Sequence, residues 1–332
     1  MKKVLVTIYV HPEYYPPTLN AINELSLIFD EVVVVTRNLA ASKWKFPENV
    51  SLKEEGALLG LKESMVMPFH KKIRAFVRYV ILLHRNMQDN KIEVVMANDP
   101  IALFSYWLLH KMNRYHHLSW YHNHDIIDRD KIKKYSLTWL AAIYEKKAFK
   151  ILDLLTVPAK ERLKQLPMDH FNGDQYFLPN WPLATFYKQF YIPKTRPNKE
   201  IKLLYQGTAS KGHGLEEIVE MLDSKIAGRD LSLTLIGNIS EQYKDNLTML
   251  AKDRNVLDRL YFRKREQYAA LPLITRDYDI GLAIHEPKGV IYSTAGTASN
   301  KIYEYAALGL PILLFDDEHY NNHLSKYPWT RF

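Results

Sequence analysis

Runs of β-branched and apolar residues alternate with helical patterns along this chain, and the alternation occurs twice. The first half supplies VLVTIYV (4–10), EVVVVT (31–36), IEVVMAN (92–98), HLSWYH (117–122) and LLTVP (154–158), with helical patterns at 18–29, 69–88, 100–112 and 131–150. Strands that read as near-continuous apolar runs between helices imply a parallel sheet, because parallel neighbours need crossovers and the crossover helices bury both faces. Around 181–200 the rhythm breaks on Pro182, Pro193, Pro197 and the polar KTRPNKE. It restarts with KLLYQ (202–206), LSLTLIG (231–237), RLYFR (259–263), DIGLAI (279–284) and PILLF (311–315), with helices near 214–224, 240–253, 266–275 and 300–308. The expectation is an α/β chain of two doubly wound, Rossmann-like parallel-sheet domains, 1–185 and 201–332, joined by a linker at 186–200. Its 332 residues suit two domains of about 150 each. Substrate is expected in the crevice between them, outside the carboxyl ends of the strands.

Composition narrows the chemistry. The chain has no cysteine, which excludes a disulfide framework, a thiolate metal site and a cysteine nucleophile, and suits a reducing cytoplasm. Met1-Lys2-Lys3 precedes an apolar run that stops at His11-Pro12-Glu13 without a small-residue cleavage site, so it reads as a first strand rather than a leader. The longest apolar stretches, IALFSYWLL (101–109) and AALGLPILLF (306–315), reach about ten residues against the roughly 18 of a spanning helix, so no membrane crossing is expected.

Of the net charge of +8, nearly all lies in residues 1–190. Lys71, Lys72, Arg74, Arg78, Arg85 and Lys91 interleave there with Phe69, Phe76, Val77, Val80, Ile81 and Leu83, a basic amphipathic helix. Two readings stand: a half-buried helix with a solvated charged face, and a helix that meets anionic lipid or a phosphorylated acceptor. Nucleic acid is not an expected partner, since no recognised binding motif accompanies the patch.

The segment KLLYQGTASKGHGLEEIVEML carries the clearest chemistry. A strand ends at Gln206, and a glycine- and hydroxyl-rich turn, Gly207 to Gly214, leads into a helix. Glycine lets the backbone approach a ligand closely, exposed amides at a helix start attract phosphate oxygens, and Lys211 adds a full positive charge. A plain strand-to-helix turn with a solvated lysine is the competing reading. In ASNKIYEYAALGLPILLF, Ser299 or Asn300 can cap a helix that carries Lys301 and Glu304 one turn apart, ended by Gly309 and Pro311. That Lys–Glu pair reads either as a surface ion pair or as a carboxylate placed to accept hydrogen bonds from a ribose diol.

The pattern G-x-x-x-K-G, followed by S-N-K-x-Y-E-Y-x-A-x-G-x-P about 90 residues later, resembles the donor half of GT-B glycosyltransferases, specifically glycosyltransferase family 4. VVMANDP (94–100), SWYHNHD (119–125), YEKKAFKILDLLTVPAKE (144–161) and FLPNWP (177–182) match further family segments in order, so the resemblance covers nearly the whole chain. It implies transfer of a sugar from a nucleotide-sugar donor to a hydroxyl acceptor, retaining and without a metal or other cofactor, in cell-surface polysaccharide or glycolipid assembly. Lys211 would neutralise the diphosphate, Glu304 would hold the ribose, and His124 would face the transferred sugar. Gly207, Thr208, Arg263, Glu286, Ser299, Asn300 and Lys301 complete the expected donor site, and Asn98, Asp99, Lys71, Arg74 and Arg78 the acceptor side. A sugar or lipid-linked acceptor and an anionic membrane surface are the implied partners, with the inner face of the cytoplasmic membrane as the place of contact.

The family often has a basic residue directly after the first glycine of the turn, where this chain has Thr208; Arg263 is the expected substitute cation. The family's glutamate pair is separated by seven residues, but Gly296 stands eight before Glu304, and Glu286 is the alternative. PILLF lies close to Phe332, so the usual terminal strand and crossover helix are expected to be missing. A nucleotide-sugar epimerase of similar build, or a truncated or degenerate nucleotide-sugar binder, stays open. A metal site built from His116, His117, His122, His124 and Asp125 is disfavoured, because the histidines lie at opposite ends of one strand. Asp128-Arg129-Asp130 and Asp277-Tyr278-Asp279 resemble the Asp-x-Asp of GT-A enzymes but sit in the wrong context. No G-x-S-x-G elbow supports a hydrolase.

Overall fold

The structure, a computed structural model, describes residues 2–332 except 41–43, 114, 125, 127–131, 194–198 and 287, and of residue 290 the backbone alone. Asp125 and Asp128-Arg129-Asp130 therefore lie outside the described residues. The chain divides into two compact units, Met1–Pro179 and Asn180–Phe332. The stretch 186–200, read from sequence as a linker, falls in the second unit: it starts inside a helix, Ala184–Lys188, and ends on the first residue of a strand, Glu200–Gln206.

In chain order the first unit holds β1 (Lys3–Thr7), α1 (Pro16–Ser26), β2 (Glu31–Arg37), β3 (Val50–Glu55), α2 (Leu61–Val66), α3 (Phe69–Met87), β4 (Ile92–Ala97), α4 (Pro100–Met112), β5 (Leu118–His122), α5 (Leu137–Phe149), β6 (Leu154–Val157) and β7 (Asp174–Phe177). Its strands form one parallel sheet in the order β3-β2-β1-β4-β5-β6-β7. Alternate residues of a strand point to opposite faces. Val4, Val6, Val32 and Val34 accordingly pack under Ile22 and Leu25 of α1, while Leu5, Val33 and Val35 pack under Tyr79, Leu83 and Met87 of α3. The edge strands β3 and β7 were not expected from sequence. Neither has a buried apolar run, and every residue of β7 is exposed.

The second unit holds α6 (Ala184–Lys188), β8 (Glu200–Gln206), α7 (Leu215–Met221), β9 (Lys225–Ile226), β10 (Arg229–Ile236), α8 (Glu241–Asp253), β11 (Leu260–Arg263), α9 (Leu271–Thr275), β12 (Ile280–Ala283), α10 (Gly289–Ser293), α11 (Ala295–Ala298), α12 (Asn300–Ala307), β13 (Ile312–Leu314), α13 (Glu318–Leu324) and β14 (Thr330–Arg331). The parallel order is β11-β10-β8-β12-β13-β14, and β9 pairs antiparallel with β10. A strand thus follows PILLF where sequence gave reason to expect none: β14 pairs with β13 through Ile312↔Thr330 and Leu313↔Arg331. Two residues are too few to form a readable apolar run.

Strand order reverses between β1 and β4 in the first sheet and between β8 and β12 in the second. Connections leave such a point in opposite directions, which opens a crevice at the carboxyl ends of the two strands. β8 and β12 pair only through Ile280↔Leu203 and Gly281↔Leu204. Beyond that the Tyr305 phenol from α12 fills the gap: its hydroxyl accepts the Gln206 amide at 2.8 Å and donates to the Leu204 carbonyl at 3.3 Å. Gly281 makes room for it, since a Cβ there would lie 2.2 Å from Cδ2 of the ring.

Gly281→Ala is therefore expected to lower the unfolding free energy by about 2 kcal/mol or more through overpacking, and Tyr305→Phe by about 1–3 kcal/mol by orphaning the buried Gln206 amide. Urea titration followed by circular dichroism checks both. A Tyr305→Phe midpoint equal to that of the native chain would show that the amide finds another partner.

Candidate functional site

The residues around the β8–β12 reversal form a layered site. Behind the end of β8, Gly207 has φ +122°, and a Cβ on it would meet Lys301 Nζ at 3.4 Å. Glycine thus leaves the space before the ammonium open. Gly237, at the end of β10 with φ +144°, is forced by backbone contact, because a Cβ there would lie 2.0 Å from the Gly207 carbonyl oxygen. Further along the turn, Ala209 donates its amide to Asn238, and Gly214, left-handed at φ 63°, stands at the cap position of α7. Thr208 offers its carbonyl to the Tyr205 hydroxyl at 2.9 Å. Lys211 is exposed in the same turn.

Lys301 projects from the first turn of α12. Its Nζ lies 3.0 Å from His285 Nε2 and 4.0 Å over the Tyr205 ring centroid. Burial pulls this lysine down to about 7, with Glu304 acting in the opposite direction. The imidazoles beside it are neutral: burial and the Lys301 charge push His213 to about 4 and His285 to about 2. A neutral His285 can accept the Lys301 hydrogen. The Tyr205 hydroxyl ties the two histidines together, 2.6 Å from His213 Nδ1 and 3.3 Å from His285 Nε2.

Glu304 is buried one turn along α12 and accepts a hydrogen bond from Gln206 Nε2 at 2.6 Å. Thr275 in turn donates to Gln206 Oε1 at 3.1 Å. Burial lifts the Glu304 carboxyl to about 7, opposed by the Gln206 hydrogen bond and the Lys301 charge. A half-buried lysine and a buried carboxyl, both near neutrality and both on one short helix, make a site whose charge responds to whatever binds there.

Other expected donor residues stand as follows. Ser299 holds the cap position of α12, but its side chain accepts no amide hydrogen bond; Asn300 is the first residue of that helix. The Glu286 amide donates to the Gly212 carbonyl at 3.0 Å, and its carboxylate pairs with Lys288. Arg263 is 3.6 Å from Glu266 and lines a groove with Glu200, Lys202, Ser232 and Thr234. The cation that adjoins Gly207 is Lys301 rather than Arg263. Asp279 belongs to the scaffold, accepting the Lys202 amide at 2.9 Å.

In the first unit, His124 follows β5 and is buried, and neither ring nitrogen has a hydrogen-bond partner among the described residues. Burial, with His122 and Arg162 nearby, holds it well below the usual imidazole value, so the ring is neutral. His122 is similarly depressed, to about 4, and lies 2.7 Å from Thr156 Oγ1. Asp99 caps α4, accepting the Ile101 and Ala102 amides at 2.8 and 2.9 Å and also the Tyr9 amide. Burial raises it to about 6 against the pull of those amides. Asn98, just before it, is buried and hydrogen-bonds its own amide to Thr7. Lys71, Arg74 and Arg78 are exposed on α3, with Arg78 4.0 Å from Glu55.

Tyr205, Gln206, His213, Thr275 and His285 were not singled out from sequence. Gln206 had a readable signal, a polar residue closing an apolar strand; the others join the site only through tertiary packing.

No protein-family model matches the chain, and no curated protein matches it by sequence. Solved structures do. A glycosyltransferase from Rickettsia africae ESF-5 superposes with a TM-score of 0.64 at 11% identity, over 98% of this chain and 82% of that one. Anabaena Alr3699/HepE in complex with UDP and glucose gives 0.63 at 14%, over 96% and 82%. WaaG, a glycosyltransferase involved in lipopolysaccharide biosynthesis, gives 0.61 at 14%, over 97% and 83%. The fold is GT-B. Within GT-B, the resemblance drawn from the two sequence segments and the likeness of the backbone meet on the same pair of seven-stranded units.

Lys301 also carries a stability consequence. With a folded value near 7 against 10.5 unfolded, it costs stability fully below pH 7, and the cost fades as pH rises from 7 towards 10.5. Lys301→Met should therefore be more stable than the native chain at pH 6, by on the order of 2 kcal/mol, and the gap should narrow at higher pH. Urea titrations across that range test the sign; a less stable variant at pH 6 would contradict it.

Proposed function

We propose that the chain is a nucleotide-sugar-dependent glycosyltransferase of the family-4 type, retaining and independent of a metal, that transfers a sugar to a hydroxyl acceptor in cell-surface polysaccharide or glycolipid assembly. The observation that carries this reading is the convergence at the β8–β12 reversal of an open glycine turn, a half-buried cation and a buried carboxylate. A nucleoside diphosphate asks for that combination: amides and cations for the pyrophosphate, and an acceptor carboxylate for the ribose diol. HepE holds UDP and glucose in one structure and UDP-glucose in another, which supports this donor class. WaaG acts in lipopolysaccharide biosynthesis, which supports a glycan-building role.

Lys211 and Lys301 are assigned to the diphosphate. Breaking the sugar–phosphate bond leaves negative charge on the departing diphosphate, so cations fixed beforehand stabilise the transition state more than the bound donor. Lys301 is suited to this task because its ammonium is poorly solvated and its value lies near 7. An arriving diphosphate raises that value, and the site takes up a proton. Glu304, oriented by Gln206, is assigned to the ribose. His124, neutral and without a partner among the described residues, is assigned to a hydroxyl of the transferred sugar, where a neutral acceptor adds no positive charge beside an oxocarbenium-like centre. Asn98 is assigned to the acceptor side, and Lys71, Arg74 and Arg78 to the lipid surface that would present a lipid-linked acceptor, while Asp99 acts through its helix cap.

Calorimetry with UDP, GDP, ADP and CDP at pH 8, in buffers of different ionisation enthalpy, tests the assignment. One nucleotide should bind with proton uptake, and Lys301→Met should abolish the uptake. Lys211→Ala should weaken binding by about 1.5–3 kcal/mol, the range of a charge-assisted hydrogen bond. Glu304→Gln should weaken nucleoside diphosphate but not inorganic pyrophosphate. If no nucleotide binds, the reading fails. A product formed from donor without acceptor would instead identify an epimerase.

A further inference from the structure

α3 presents more apolar surface than the sheet covers. Tyr79, Leu83 and Met87 are buried against β1, β2 and β4, yet Phe69, Ile73, Val77 and Ile81 remain 63, 42, 48 and 44% exposed. Four residues apart, they form one continuous stripe beside the buried face of the helix. Met65 and Val66, at the end of α2, are also exposed, at 68 and 83%. Arg74, Arg78, Arg85 and Lys71 run along its flank, and between residues 69 and 87 there is no Asp or Glu. Lys71, Arg74 and Arg85 meet no carboxylate among the described residues, and Arg78 reaches only Glu55, at 4.0 Å.

We propose that α3 is a membrane-docking helix that lies flat on an anionic lipid surface, Phe69, Ile73, Val77 and Ile81 entering the acyl boundary while Lys71, Arg74, Arg78 and Arg85 meet the headgroup phosphates. Charge complementarity selects this occupant. An apolar stripe bordered by cations without acids matches the layering of an anionic bilayer, apolar below and negative above. A second copy of the chain would set basic flank against basic flank, in a half that already holds nearly all of the net charge of +8. Among the described residues no helix is long and apolar enough to cross a membrane, so the contact is interfacial. The inference stands apart from nucleotide binding, since its test contains no nucleotide.

Co-sedimentation of the full chain with phosphatidylcholine vesicles, with and without about one third phosphatidylglycerol, provides the test. The chain should pellet at least about tenfold better with the anionic vesicles and be released by salt. Ile73→Gln/Val77→Gln/Ile81→Gln should abolish binding at unchanged charge, and Lys71→Glu/Arg74→Glu at unchanged apolar area. Hydrogen exchange of the unaltered chain needs no variant and should show vesicle-induced protection centred on 69–81. Equal binding to neutral vesicles, binding insensitive to both variants, or protection elsewhere would overturn the proposal. So would a concentration-dependent dimer that the apolar variant dissolves, since another copy would then cover the stripe.

Discussion

The second unit depends on one insertion, the Tyr305 phenol between β8 and β12. A doubly wound sheet has to part where its strand order reverses, and parting exposes ladder groups that must find partners. Here a side chain satisfies them: the Tyr305 hydroxyl takes the Gln206 amide and returns a hydrogen to the Leu204 carbonyl. The ring lies flush because residue 281 has no side chain. The same helix brings Lys301 over Gly207 and Glu304 onto Gln206, so the contact that seals the sheet also sets the position of the site.

The electrostatics of that site follow from enclosure. Lys301 is brought down and Glu304 brought up to the same region near 7, so neither group is locked into one charge state. The surrounding imidazoles do not compete for the proton, since His213 and His285 are held neutral well below it. An enclosed ammonium beside neutral acceptors interacts more strongly with an incoming anion than a solvated lysine does. The exposed Lys211 is the complementary case, a solvated charge in the same turn.

The architecture was legible in the sequence wherever a strand is buried on both faces. VLVTIYV, EVVVVT and LSLTLIG each stand out as apolar runs, and each marks a strand of the parallel sheets. β3, β7 and β14 did not stand out, because an edge strand has no reason to be apolar and β14 is only two residues long. The glycine turn and the Lys301–Glu304 pair were visible as motifs, since their chemistry is local. Their support was not: His285 and Thr275 reach the site only through the sheet order, and the effect of Tyr205 on Lys301 depends on a ring lying 4.0 Å beneath it. Arg263 is the converse case, a motif residue whose surroundings could not be read. A basic residue at a strand's carboxyl end fits the pattern, yet its neighbours are Glu266 and the groove around Lys202.

The fit between Gly281 and Tyr305 has a historical consequence. Neither position can drift alone: any larger residue at 281 collides with the ring, and a smaller one at 305 leaves an amide stranded and a void in the seam. Descendants of this chain should therefore keep the pair or exchange both members together, leaving a correlated imprint across lineages even where the surrounding sequence has diverged beyond recognition.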